Sequence, residues 1–143
     1  MNKFKIGYTT GVFDLFHIGH LNILKKAKEH CNYLIVGVTT DEEVFRIKNR
    51  KPIIPFEERL EIINSIRLVD KAVPEYDTDK LLAWNEYKFN VIFKGDDWRG
   101  TPKWLKYEKE FSKLGVEVKY FPYTKGTSST LIREVLSAFR EEK

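Results

Sequence analysis

The run Tyr33-Leu-Ile-Val-Gly-Val-Thr39 is apolar at nearly every position. A strand with one wet face alternates apolar and polar residues. A strand apolar throughout has to be covered on both faces, as in a parallel sheet with helices on either side. The rest of the chain alternates between the two periods such a sheet needs. Phe4–Thr9, Val69–Pro74, Val91–Lys94 and Val116–Phe121 read as further strands. Ile18–Glu29, with Leu21, Leu24 and Ala27 on one face, reads as the first helix. Asp41–Phe45 reads as a short helix capped by Asp41, followed by a basic loop, Arg46–Lys51, that Pro52 and Pro55 end. Phe56–Ser65 is a helix opened by Glu57 and Glu58, whose charge suits its positive end. Asp79–Tyr87, Pro102–Leu114 and Ser128–Arg140 complete the helices, with Pro102 suited to a first turn and Gly115 to an exit. Alternation of this kind predicts an α/β fold: a parallel sheet with helices on both faces and right-handed crossovers.

A chain of 143 residues fits one domain, expected to span 1–143. Charged residues at 32% and hydrophobic residues at 42% exclude a disordered or fibrous chain. No apolar run approaches the roughly 18–20 residues that span a bilayer. Met1–Ile6 leads straight into strand pattern without the apolar stretch of a signal peptide. Cys31, the one cysteine, excludes a disulfide framework and a cysteine-based zinc cage, and reads as a small core residue. The expected compartment is the cytoplasm, with no membrane partner. The net charge of +4 suits a phosphate-bearing small molecule as well as nucleic acid. No basic-aromatic stripe favours the nucleic acid, which is not expected as a partner.

Ligands of open parallel sheets bind beyond the carboxyl ends of the strands. Four segments follow strands: Thr10–His20, Thr40–Lys51, Gly95–Gly100 and Tyr123–Thr130. Every chemically suggestive cluster falls in one of them. In the first, His17 and His20 are three apart, so they share a face on a first helical turn. Free N–H groups and a positive dipole at that turn, with two imidazoles added, suit a polyphosphate. Gly11 and Gly19 permit close approach. A zinc site is disfavoured, because helical His pairs bind at i, i+4 with a third ligand and His30 lies too far along the chain.

The segment Gly11-Val-Phe-Asp-Leu-Phe-His-Ile-Gly-His20 resembles the signature of the cytidylyltransferase family of nucleotidyltransferases. Pro55-Phe-Glu-Glu-Arg59, Ile66-Arg-Leu-Val-Asp70, Gly95-Asp-Asp-Trp98 and Gly126-Thr-Ser-Ser-Thr130 match further landmarks in order along the chain. At this length it is most like the small bacterial glycerol-3-phosphate cytidylyltransferases. The resemblance implies a Rossmann-like nucleotidyltransferase fold and transfer of CMP from CTP to an alcohol phosphate, leading to CDP-glycerol and pyrophosphate. CDP-glycerol would feed teichoic-acid or capsule assembly. It implies Mg²⁺ brought with the nucleotide, no dedicated metal site, and a homodimer. An adenylyltransferase of the same fold, or a different alcohol phosphate acceptor, is the alternative.

Residue by residue, the resemblance implies catalytic roles for His17, His20, Lys48 and Arg67. It implies nucleotide contacts from Thr10, Gly11, Val12, Phe13, Asp14 and Gly19 in the first segment and from Gly95 and Asp97 in the third. In the closing loop it implies Thr124, Lys125, Thr127, Ser128 and Ser129. Acceptor contacts fall to Arg50, Lys51, Arg59, Asp70 and Trp98. Asp14 either orients its loop, holds a metal or caps the turn. Arg59 and Arg67, eight apart, would share one face of one helix, and Arg59 is either an acceptor contact or an exposed charge. Asp96 and Asp97 at a strand end would be costly unless paired or metal-bound. Tyr123 and Thr127 depart from the family's usual Arg and Ile, and Lys125 is the nearest charge to replace the Arg.

Overall fold

The computed structural model describes residues 3–122 and 128–141. Five strands form one parallel sheet: β1 (Phe4–Gly11), β2 (Cys31–Thr39), β3 (Lys71–Glu75), β4 (Val91–Gly95) and β5 (Glu117–Phe121). Between and after them run α1 (Ile18–Glu29), α2 (Asp41–Lys48), α3 (Phe56–Asn64), α4 (Lys80–Tyr87), α5 (Pro102–Lys113) and α6 (Ser129–Glu141). The strand order is β3-β2-β1-β4-β5. β1 pairs with β2 from Phe4↔Cys31 to Gly11↔Val38, and with β4 through Gly7↔Val91 and Tyr8↔Ile92. The chain therefore winds outward from β1 in one direction, returns, and winds out in the other. The point of reversal lies between β1 and β4, where a crevice opens at the carboxyl ends.

The apolar runs are covered on both faces. On one, Leu34, Val36 and Val38 of β2 pack with Leu24 and Ala27 of α1 and Ile63 of α3. On the other, Tyr8, Ile35 and Ile92 pack with Phe89 and with Trp104, Tyr107 and Phe111 of α5. Gly7 is required where the sheet is tightest: a Cβ there would lie 2.7 Å from both Cys31 Sγ and the Phe93 ring. Cys31 is free and buried, as its sequence setting indicates. No helix among the described residues is long and apolar enough to cross a membrane.

Two local expectations change. The cap of α2 is Thr40, whose hydroxyl accepts from Glu43 N–H, and the helix runs on through Lys48 to a left-handed Asn49. Asp41 is the first helical residue instead, and its carboxylate accepts from Phe56 N–H and Arg59. Second, α3 stops at Asn64, so Arg67 stands beyond it and shares no helix face with Arg59.

Arg59 is 1% exposed and acts as a staple. Its guanidinium donates to the carbonyls of Ile54, Val12 and Thr39 at 2.7–2.9 Å and to Asp41 at 2.6 Å. Those acceptors hang from the ends of β1 and β2 and from the loops beyond them. A single planar cation thus holds together the rim on which the site is built.

Candidate active site

β1 ends at Gly11 and the chain turns sharply before α1. Phe13 and Leu15 both adopt left-handed backbone conformations, φ 55° and 53°. For bulky side chains each costs about 1–2 kcal/mol, strain that persists only where surroundings over-determine it. Asp14 between them supplies the constraint. It is 1% exposed, and its carboxylate accepts from Ile53 and Ile54 N–H at 2.8 and 2.9 Å and from Arg133 Nη2 at 2.7 Å. Its carbonyl accepts from the Ser129 hydroxyl. Burial alone would raise the Asp14 pKa, but the two amide donors and Arg133 outweigh it and hold it below the usual carboxylate value. Of the open readings, the loop-orienting one matches these contacts: the carboxylate is held by three donors of the protein itself.

His17 is the N-cap of α1 and His20 its third residue, in a reciprocal capping pattern. His17 Nδ1 accepts from Gly19 N–H at 3.0 Å, and His20 Nδ1 accepts from His17 N–H at 3.2 Å. An imidazole nitrogen that accepts carries no proton, so each neutral ring bears its proton on Nε2. The rings stack with centroids 3.9 Å apart, His20 braced edge-on by Phe13. Burial, and then the neighbouring His17, push the His20 pKa down to about 4. Burial also lowers His17. Near neutral pH the pair is two uncharged Nε2–H donors. The amides of His17 and Gly19 are consumed by the cap, so the imidazoles, rather than those helix-end N–H groups, are the donors left available at this turn.

Both rings line a cavity of about 380 Å³ at the carboxyl ends of β1 and β4. Thr10, Gly11, Val12, Phe13, Asp14 and Gly19 line it, as do Lys48, Gly95, Asp97, Trp98, Ser128 and Ser129. Thr124, Lys125 and Thr127 lie outside the described residues, as does Tyr123. At Gly95 a Cβ would lie 2.7 Å from Asp97 Oδ1, so the glycine leaves room for that carboxylate beside the strand end. Asp96 and Asp97 are both exposed, so the expected burial cost does not arise and neither needs a counter-ion. Among the described residues no group of three His, Cys, Asp or Glu side chains converges on a metal position.

A second cavity of about 340 Å³ adjoins the first, towards β3 and α5. In its wall, Glu75 and Lys80 form a buried ion pair at 2.7 Å, and Thr39 donates to the other Glu75 oxygen at 2.7 Å. Lys48, Lys94 and Lys103 also line it. Burial, Arg50 and Arg133 lower the Lys48 pKa.

Several expected residues stand elsewhere. Arg59 is the buried staple described above and has no face for an acceptor. Arg67 is exposed in the turn after α3, near the start of β3, at the opposite end of the sheet from both cavities. Asp70 precedes β3 at that same end, where it accepts from Leu34 N–H at 2.7 Å and pairs with Lys28. Arg50 and Lys51 are exposed and line neither cavity. Arg46 is held by Glu43 in a two-point contact at 2.6 and 2.7 Å. Two cavity residues escape a reading by motif. Lys94 follows the buried Val91-Ile-Phe93 run, and its signal is a cation directly before a strand-ending glycine. Arg133 lies one helical turn beyond Ser129, so the two reach the same loop.

Comparison with known proteins gives a consistent picture. Residues 8–135 match the family model described as cytidylyltransferase-like. The chain is 36% identical over 130 residues to the glycerol-3-phosphate cytidylyltransferase of Bacillus subtilis, spanning 90% of this chain and 95% of that one. The Staphylococcus aureus protein of the same name is 36% identical over 135 residues, 90% and 92% of the two chains. The bifunctional protein HldE of Geobacter metallireducens is 33% identical over 96% of this chain, which covers 28% of it. A lipopolysaccharide core biosynthesis protein from Thermoplasma volcanium has a similar structure, with TM-score 0.70, 29% identity, and 87% and 99% of the two chains covered. A pantoate-beta-alanine ligase from Francisella tularensis, at 15% identity and TM-score 0.63, shares the fold.

Proposed function

The chain belongs to the cytidylyltransferase-like family, and from that premise we propose that it is a glycerol-3-phosphate cytidylyltransferase. It transfers CMP from CTP to glycerol 3-phosphate, giving CDP-glycerol and pyrophosphate. The observation that carries this is 36% identity to proteins of that name over 90% or more of both chains. The site geometry agrees with the chemistry: neutral donors and cations converge on a cavity whose strained rim is already built.

In the reaction a phosphate oxygen of the acceptor forms a bond to the α-phosphorus of CTP. The bond from that phosphorus to the bridging oxygen breaks, and pyrophosphate leaves with the electron pair. The protein's task is positioning and charge stabilisation. The Nε2–H groups of His17 and His20 donate to phosphate oxygens as negative charge builds on them. Because both Nδ1 atoms are fixed by the cap, these donors need no reorganisation at the moment of reaction. Lys48 adds a positive charge, and Ser128 and Ser129 add donors at the start of α6. Thr10, Gly11, Val12, Phe13, Gly19 and Gly95 shape the nucleotide cavity, with Trp98 as its aromatic wall. The second cavity receives glycerol 3-phosphate.

Mg²⁺ fits the donor set as an ion carried on the triphosphate. Asp97 is an exposed carboxylate at the cavity wall, while Asp14 is committed elsewhere, so the ion would keep several waters. When bound it would screen the triphosphate charge. We also propose a homodimer acting in the cytoplasm. Leu131, Val135 and Phe139, spaced four apart and exposed on α6, support an apolar contact surface.

The test is pyrophosphate release with Mg²⁺, each of the four nucleoside triphosphates, and a panel of phosphorylated alcohols. Turnover is expected with CTP and glycerol 3-phosphate and is expected to stop with EDTA. A preference for ATP, or for another acceptor, would replace this reading.

A further inference from the structure

Two substrates that react with each other must meet. With the nucleotide in the first cavity and the acceptor in the second, a reading on which this inference rests, the reacting phosphorus lies at their seam. Six residues line both cavities: Thr10, Gly11, Val12, Lys48, Lys94 and Trp98. Only Lys48 and Lys94 carry charge. They approach from opposite sides of β1, Lys48 at the end of α2 after β2 and Lys94 on β4.

Lys94 has no carboxylate within ion-pair distance among the described residues. Its Nζ lies 4.8 Å from the centre of the Trp98 ring and 5.6 Å from that of Trp104. Glu75, the buried acid in the same wall, is engaged by Lys80 and Thr39. A partly buried ammonium held on aromatic faces, with its neighbouring acid already spent, is positioned for an anion from outside. We infer that Lys94 is a further catalytic residue, its ammonium bridging the attacked α-phosphate of the nucleotide and the attacking phosphate of the acceptor. Lys48 faces the same point from the other side, so the charge that spreads over the transferring phosphoryl group is met twice.

The electrostatics agree. Burial, then Lys80, lower the Lys94 pKa to about 8, with Lys103 adding to the repulsion and Glu75 and Asp97 opposing it. The free protein holds this cation at a cost that arriving phosphates relieve.

The rival account is that Lys94 is a spacer packed between Trp98 and Trp104. Lys94→Met separates the two, since methionine keeps the reach and apolar stem without the charge. The Met variant is expected to lose at least about 30-fold in kcat, with KM for CTP within about threefold. By calorimetry it should bind CDP-glycerol, which spans the seam, at least about tenfold more weakly, and CTP nearly as wild type. In the wild type, kcat/KM should fall above about pH 8, and in Lys94→Arg that limb should move to higher pH. Wild-type turnover in the Met variant, or an unmoved limb in the Arg variant, overturns the inference. If the wild type uses another alcohol phosphate instead of glycerol 3-phosphate, the acceptor assignment falls and the Met variant is read on the acceptor that works. Absence of transfer to any acceptor would sink both.

Discussion

The two ends of the parallel sheet are built on opposite terms. At the amino ends of β2 and β3, polar groups satisfy one another and stop there: Asp70 accepts from Leu34 N–H and pairs with Lys28. At the carboxyl ends, strained residues, two cavities and under-partnered cations gather within a few residues of β1. Even there the charges fall into two kinds. Arg59 and Arg133 are spent on the protein's own carbonyls and carboxylates, whereas Lys48 and Lys94 make no ion pair among the described residues. The difference teaches how to tell a charge that shapes a site from one that serves it. A shaping charge faces acceptors belonging to the chain, and a serving charge lines a cavity.

That distinction can be broken by experiment. The largest effect should come from Arg59→Met, which orphans three carbonyls and leaves Asp41 without its counter-ion. A loss of about 3–5 kcal/mol is expected in urea unfolding, with KM for the acceptor unchanged in the protein that remains folded. A raised acceptor KM at normal stability would return Arg59 to the binding residues.

The histidine pair sits on both sides of the line, because it caps α1 and also faces the cavity. His17→Asn and His20→Gln separate those roles, since Asn is a good cap and Gln keeps the reciprocal bond at the third position. Each should lower kcat by about 100-fold, or about 2.7 kcal/mol of transition-state stabilisation, with melting temperature nearly unchanged. Alanine at either position should add a stability loss of about 1 kcal/mol. Equal activity in the Asn and wild-type proteins would make His17 a cap alone.

The smallest effect is expected at the far end. Arg67→Ala should leave stability within about 0.5 kcal/mol and turnover within about twofold. A large loss of turnover that depends on protein concentration would sharpen the comparison instead, by showing that this end of one copy completes the site of another.

Most of this architecture is legible in the sequence. The apolar run at Tyr33–Thr39 and the alternating periods demand a sheet covered on both faces, and the positions following strands become the only places for a site. The His17/His20 pair was legible for the same reason, since both residues fall within one helical turn. Roles set by distant partners were not. Nothing local distinguishes Arg59, which is buried, from Arg67, which is exposed at the wrong end. Asp14 shows the same limit: its partners Ile53, Ile54 and Arg133 come from two other segments of the chain.

Sequence alone therefore determined the α/β class, the segments that could carry chemistry and the identity of the two imidazoles, because periodicity and spacing act over a few residues. Only the tertiary structure decided which charges are committed and that Lys94 reaches both cavities. Those depend on what a side chain meets across the fold, where desolvation and pairing, rather than residue type, set its state.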